Sequence, residues 1–398
     1  MKKTANRDNM NEKSTYRFVL TDTHENIEIR DYIVENTDLE IYDSVPFKVW
    51  KKTLHGGKQE GSTLIGVETG ELSVTVIPTR GMSLHKARFC GFDYGWASPV
   101  DEIVHPAFMR LSERGEVGWL DGFNELMVRC GFEWSGHPCA EDSVAYSLHG
   151  RAGNTPASRV TVGIERQAPH RIRISGLLKE KAFKFSDFEI LTELIVTPGS
   201  ALLSVHDRIV NLSDYDRAYQ IIYHTNFGRP ILGKGARFLA PVKCIAPFNE
   251  RAKAGLATWQ VYAGPTHNFD EEVFVCELFG DSIGQTVTAL VDPSNSAGVA
   301  LRFNTGELPY FTLWKNTDTN RQGYVTGLEP GSSYSYSRAV EKARGRLQTL
   351  GPNEARDFRI DIQFLTTTLE LAAVTSEIDN IRAGRDALVA YEPIFSTN

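Results

Sequence analysis

The chain has 398 residues, of which 41% are apolar and 23% charged, with a formal net charge of −7. Ordinary soluble composition and an acidic balance exclude a general nucleic-acid binder, which needs a basic footprint. The five cysteines are odd in number and form no CxxC spacing, which points away from a disulfide framework and a structural zinc site.

Residues 1–15 are polar and charged and read as a disordered or loosely packed tail with no apolar stretch behind its lysines. This is not a secretory signal, and nowhere does an apolar run reach the length of a membrane span. A reducing, cytoplasmic setting is expected.

From Thr63 to Leu365 the chain alternates at period two between turn signals. Leu72, Val74 and Val76 form one set. Val160, Val162 and Ile164 form a second, with Ile172 and Ile174 after a turn near Pro169. Ile190, Thr192, Leu194 and Val196 run into Thr197-Pro198-Gly199-Ser200, and Leu203, Val205, Asp207 and Ile209 continue the pattern. Phe358, Ile360, Ile362 and Phe364 make the last set. Such alternation marks strands with one buried face. Residues 101–125 are irregular, as a long functional loop would be. Helical spacing is confined to the tail, about Thr375 to Ala390.

The fold class predicted is therefore all-β, a large antiparallel β-sandwich. Its strands run from about residue 40 to 365, with the flanking termini packed outside. Residues 16–398 form one domain carrying a peripheral C-terminal helix.

Three polar segments stand in this strand-rich context. Tyr223 to Gly228 ends a strand on which Ala218, Gln220, Ile222 and His224 share a face. Val325, Gly327 and Glu329 share a face of a strand that Pro330-Gly331 is expected to end. Leu148-His149-Gly150-Arg151 sets an imidazole and a guanidinium beside a glycine that admits close backbone approach. Taken one at a time, the segments favour a satisfied structural histidine, a solvated turn carboxylate and an ordinary loop.

Together they resemble the aldose 1-epimerase (galactose mutarotase-like) superfamily, and more closely its epimerase-like branch of unassigned function. His224 to Phe227 matches the segment whose histidine is the family's general acid. Leu328-Glu329-Pro330 matches the segment whose glutamate is its general base, about a hundred residues later. His149 matches the sugar-binding histidine of a Leu-His-Gly segment. Arg80-Gly81-Met82, Asn124 to Gly131, Leu313-Trp314-Lys315-Asn316 and Leu350 to Glu354 resemble further parts of the branch.

Two departures accompany the resemblance. Asn226 stands where mutarotases usually have tyrosine. The aspartate that holds sugar hydroxyls has three candidates here, Asp270, Asp281 and Asp292.

The resemblance implies an isomerase that opens the hemiacetal ring by acid–base catalysis, His224 and Glu329 being catalytic, without metal or other cofactor. Arg80, Asn124, His149, Arg151 and Asn226 are expected to bind sugar hydroxyls, with Lys315 beside them. Tyr310 and Trp314 are expected to offer an aromatic face. The expected partner is a small sugar, neither nucleic acid nor membrane. The oligomeric state is open, a homodimer included.

Arg80, Arg129, Arg151 and Lys315 all fall in these segments. Clustered in a pocket, they would favour a sugar bearing an acid group, or one with closely spaced hydroxyls, over plain glucose. Three rival readings are an isomerase acting on a ketose or sugar acid, a non-catalytic carbohydrate binder, and a metal site made of Glu102, His105, His137 and His149.

Overall fold

Strand after strand has one face dry and one wet. Ile172–Lys181 alternates buried and accessible side chains along most of its length, and Asp187–Val196 does the same. Two such faces bury each other only as stacked sheets. The computed structural model describes residues 14–394, and in it two large sheets form a sandwich.

The smaller sheet runs Arg237–Leu239, Gln285–Val291, Gly298–Asn304, Ala355–Leu365, Leu202–Asn211, Asp187–Val196, Ile172–Lys181, Arg159–Glu165, Thr15–Asp22 and Ile27–Glu28. The larger carries Val242–Pro247, Glu272–Leu278, Tyr310–Asn316, Val325–Gly331, Arg217–Phe227, Met127–Phe132 and Ser83–Phe89 side by side, then continues through strands 72–77, 63–69, 47–53 and 32–35. The described strand pairings are antiparallel, except that Val242–Pro247 meets Leu388–Val389 in parallel, and an isolated bridge joins Gly131 and Gly150 in parallel. Ile174, Ile190, Val205 and Ile360 of one sheet share a core with Val74, Val76, Leu313 and Leu328 of the other.

Two expectations need adjustment. Of the tail, residues 1–13 lie outside the described residues. From Thr15 the chain forms a strand of the smaller sheet, paired with Arg159–Glu165, instead of packing outside the sandwich. Leu20 is fully buried there, and Tyr16 and Phe18 pack against the same core.

The C-terminal helix spans Thr368–Arg382, beginning earlier than its apolar spacing indicates. Thr367 caps it, and the Glu370 side chain bonds back to the Thr367 backbone. Leu371, Val374 and Ile378 lie on Val287, Ala289 and Ala300, on the outer face of the smaller sheet. No helix among the described residues is long and apolar enough to cross a membrane.

The strand Arg217–Phe227 differs from these half-wet strands, since every residue from Tyr219 to Phe227 is buried. Its inner face joins the main core through Ile221, Tyr223 and Phe227. Its outer face must therefore be roofed, and the roof covers the site.

Candidate active site

Three strands bring the site together. Thr225 pairs with Leu328 and Asn226 with Gly327, a register that sets His224 directly opposite Glu329. On the far flank Glu329 pairs with Thr312 and Gly327 with Trp314. On the near flank His224 pairs with Val128. Residues paired across antiparallel strands point to one face, so His224, Glu329, Trp314 and Val128 share the outer face. Pro330 does not end its strand. It stays paired with Phe311, and the ladder runs on to Gly331.

His224 Nε2 lies 3.2 Å from Glu329 Oε1, with side-chain exposures of 5% and 2%. The contact is not aligned as a hydrogen bond, and Glu329 Oε1 is a buried oxygen without one. His224 Nδ1 lies 2.7 Å from Asn226 Oδ1. Burial pushes the His224 imidazole down to about 4, with Asn226 opposing. Burial pushes the Glu329 carboxyl well above the usual carboxylate range, and the charge of Glu271 adds to this. Both shifts favour the uncharged forms.

The roof comes from the irregular stretch 101–125. Trp119 and Phe123 place their rings 6.1 and 5.2 Å from the His224 ring. His149 is edge-on to both Trp119 and His224, at 4.8 and 5.5 Å. It sits in the left-handed region with φ of 58°, a conformation found at few non-glycine positions and mostly where surrounding structure demands it. Its imidazole is held well below its ordinary value by burial, then by His224 and His137. Trp119 Nε1 and His149 Nδ1 are also buried without hydrogen bonds. Buried polar groups are nearly always paired, so these three atoms leave hydrogen-bonding capacity at the couple that a ligand could use.

Trp314 makes the open side. It is half-buried, 5.4 Å from the His224 ring, and donates its indole N–H to Glu271 at 2.7 Å. Sequence reasoning missed Glu271, which precedes a strand without any spacing signal, as well as Trp119 and Phe123. The irregular stretch 101–125 was the only trace of Trp119 and Phe123, and Glu271 left none.

Gly327 keeps the couple open. A Cβ there would stand 2.5 Å from Glu329 Oε1, 3.1 Å from His224 and 3.2 Å from Trp314. Gly327→Ala is expected to cost about 1–3 kcal/mol by overpacking and to lower turnover more than affinity, read by urea denaturation and steady-state kinetics. An unchanged kcat would show that the couple tolerates being pushed apart.

Of the other expected binding residues, Asn226 lies behind His224, and Tyr310 shares the face of Trp314 but packs on Tyr334 at 4.7 Å. Arg80, Asn124, Arg151 and Lys315 do not line the couple. Arg80 is sealed, 2.6 Å from Glu125, and donates to Gly122 O at 2.7 Å. Asn124 ties down the carbonyls of Val100 and Glu102. Arg151 pairs with Glu133 and Glu180, both at 3.1 Å. Lys315, next to Trp314, points to the opposite face and donates to Trp259 O and Val261 O. Arg129 faces the inter-sheet core and Asp207. These four cations are therefore engaged elsewhere and build no basic pocket.

The three aspartates are likewise occupied or remote. Asp281 and Asp292 cap turns, and Asp270 is exposed beside Glu271. Of the rival metal set, His105 caps a turn, His137 stacks on Phe248 and His149 stands under Trp119. Among the described residues no three or more His, Cys, Asp and Glu gather as a metal site.

Comparisons add a family. A family model described as a domain of unknown function (DUF4432) matches residues 59–364. A solved structure from Klebsiella pneumoniae subsp. pneumoniae, provisionally named an aldose 1-epimerase, is 46% identical, with a TM-score of 0.95 over 96% of this chain and 100% of that one. A galactose mutarotase-like protein from Clostridium acetobutylicum is 15% identical, with a TM-score of 0.52 over 82% of this chain and 100% of that one. A galactose mutarotase related enzyme from Lactobacillus acidophilus is 15% identical, with a TM-score of 0.53 over 76% of this chain and 98% of that one. The latter two show likeness of fold alone. No curated protein matches the chain.

Proposed function

We propose that this chain, which belongs to the DUF4432 family within the galactose mutarotase-like superfamily, binds a free sugar and interconverts its anomers by acid–base ring opening. One observation carries the reading. A histidine and a glutamate, 3.2 Å apart, are buried together under a roof of indole and phenyl rings with unpaired polar atoms around them. A purely structural pair of this kind would be aligned and satisfied. A pure carbohydrate binder has no need of a proton couple.

The chemistry asks for two simultaneous proton transfers. One group removes the proton of the anomeric hydroxyl while the other protonates the ring oxygen. The carbonyl turns and the ring recloses on its other face, with both transfers reversed. Anomeric and ring oxygens sit on one carbon, so a couple in contact can serve both. Trp314, half-open beside the couple, would take the C–H face of the sugar. His149 and Trp119 supply hydroxyl partners.

The substrate is read as an uncharged sugar, because Arg80, Arg129, Arg151 and Lys315 are all engaged away from the couple. The test is anomer exchange followed by NMR over neutral aldoses, ketoses, uronic acids and sugar phosphates. Exchange is expected to be fastest on a neutral aldose, with no advantage for its acidic analogue. Binding of sugars without any exchange would replace this reading with that of a carbohydrate-binding protein, and conversion at another carbon with that of a different isomerase.

A further inference from the structure

We propose that Arg151 and Glu180 are a positioning pair for His149, in which a carboxylate from the smaller sheet holds the turn that aims this imidazole into the sugar site. The inference rests on the sugar-binding reading of that site, and it concerns two residues whose own partners lie outside the couple.

His149 is held first by its backbone. Its N–H donates to Gly136 O at 2.8 Å, and its carbonyl accepts the Gly131 N–H at 3.1 Å. Two residues on, the Arg151 N–H donates to Gly131 O at 2.9 Å. Gly150 between them leaves no slack, since a Cβ there would stand 2.2 Å from Trp134 O and 2.5 Å from Gly131 O. The turn therefore goes wherever residues 131–136 go.

That stretch outruns its sheet. The ladder with Arg217–Phe227 ends where Phe132 pairs with Gln220. There Glu180 takes over. Its Oε2 accepts the Phe132 N–H at 2.7 Å, and its Oε1 accepts the Glu133 N–H at 3.4 Å. The same Oε1 accepts from Arg151, 3.1 Å from Nη2 and 3.4 Å from Nε. Arg151 also donates to Glu133 at 3.1 Å and lays its guanidinium 4.9 Å above the Trp134 ring. Trp134 in turn donates its indole N–H to Ser147 O at 2.8 Å, on the entry side of the turn. One carboxylate thus holds both the platform and the turn that sits on it.

An acid is out of keeping with its place on the strand. Ile172, Ile174 and Leu178 precede Glu180 on the inner face of Ile172–Lys181, and the Glu180 side chain is only 3% exposed. Another apolar residue would close the sandwich there, and a buried ion pair seldom adds stability over apolar replacements. What the acid adds is direction, because charged hydrogen bonds fix the orientation of their partners.

That direction is used at His149. Its ring stands edge-on to Trp119 at 4.8 Å and to His224 at 5.5 Å, with Nδ1 buried and without a hydrogen bond. Its left-handed backbone persists only while the surroundings impose it. A ring nitrogen must stand in one place to meet a sugar hydroxyl, and a misplacement of about 1 Å can cost about 10²-fold.

The test follows the ring itself. In protein carrying ¹³C-labelled histidine, the His149 ring signals are assigned by their loss in His149→Gln. In wild type the neighbouring Trp119 ring is expected to displace them from ordinary histidine positions. Arg151→Met and Glu180→Gln should move them back toward those positions, and Arg151→Lys should move them less. Glu180→Gln keeps the shape and decides the matter if Arg151→Met does not fold. Anomer exchange is measured on the same proteins, with urea midpoints recorded to separate lost stability from lost positioning. Arg151→Met should lower kcat/KM by about 10–100-fold, chiefly through KM, with part recovered in Arg151→Lys. Beside His149→Gln it should cost little more, because residues that act through one group are not additive.

Folded variants with wild-type His149 signals, or a kinetic loss as large beside His149→Gln as alone, would overturn the proposal. A protein that exchanges no sugar would end the functional reading, while the His149 signals still decided the positioning.

Discussion

Replacing Glu329 with glutamine is expected to lower anomer exchange by about 10²–10⁴-fold while leaving sugar affinity nearly unchanged. The amide keeps the shape and hydrogen-bonding reach of the carboxyl but neither gives nor takes a proton at neutral pH. Gly327 and Trp314 would meet the same volume, so binding has no reason to change. Steady-state kinetics and a direct binding measurement separate the two effects. A variant as fast as wild type would remove Glu329 from the chemistry.

The same substitution has a signature in stability. Because Glu329 is raised in the folded state, its neutral form is the one the fold accommodates. That contribution is fully present below the unfolded carboxyl value and is lost as pH rises through the folded one. Glu329→Gln should therefore flatten the fall in stability that sets in as pH rises above the ordinary carboxyl value. His224, lowered to about 4, acts at the other end. Its cost appears as pH drops below the ordinary imidazole value and grows until the folded value is reached.

Asp207→Ala is expected to destabilise the protein by about 3–5 kcal/mol, the usual result of leaving a buried charge without its partner. Arg129 reaches Asp207 with two bonds, at 2.5 and 2.9 Å, in the middle of the sandwich. It also donates to Thr192 and to the carbonyls of Gly81 and Met82, and Tyr223 bonds the same carboxylate at 2.8 Å. Removing the acid strands the guanidinium and the phenol together. Removing both charges, as Arg129→Met with Asp207→Leu, should recover much of the loss. Urea denaturation of the two variants checks this, and an Asp207→Ala protein within about 1 kcal/mol of wild type would mean that water reaches the guanidinium.

How far the sequence reaches is clear from these residues. The period-two sets at 72–76, 160–164, 190–196 and 358–364 became strands because one face of each is dry, and that signal is local. His224 and Glu329 were legible through their motifs, and their strands really do adjoin. Parity explains the misplacements. Lys315 follows Trp314 and Arg129 follows Val128, and neighbouring residues on a strand point to opposite faces. The assignment of each to the pocket ignored that, and register with the partner strand decides which of two neighbours wins. Arg80 and Arg151 are carried by turns, where no periodicity applies, and their partners Glu125, Glu133 and Glu180 are found only by folding. Glu271, Trp119 and Phe123 had no motif, and their place depends on how a loop crosses a sheet.

The adjacency of the strands Arg217–Phe227 and Val325–Gly331 bears on how the protein is made. The two halves of the couple stand about a hundred residues apart in sequence; Tyr310–Asn316 is joined to Val325–Gly331 by a short connection, but Met127–Phe132, on the other flank of Arg217–Phe227, arrives from a third part of the chain. Closing such distant pairings is the slow part of building a sheet. A refolding chain will thus hold most of its hairpins before it holds a working couple. The return of turnover becomes a clock for the last long-range pairing, lagging the recovery of β-structure measured on the same sample.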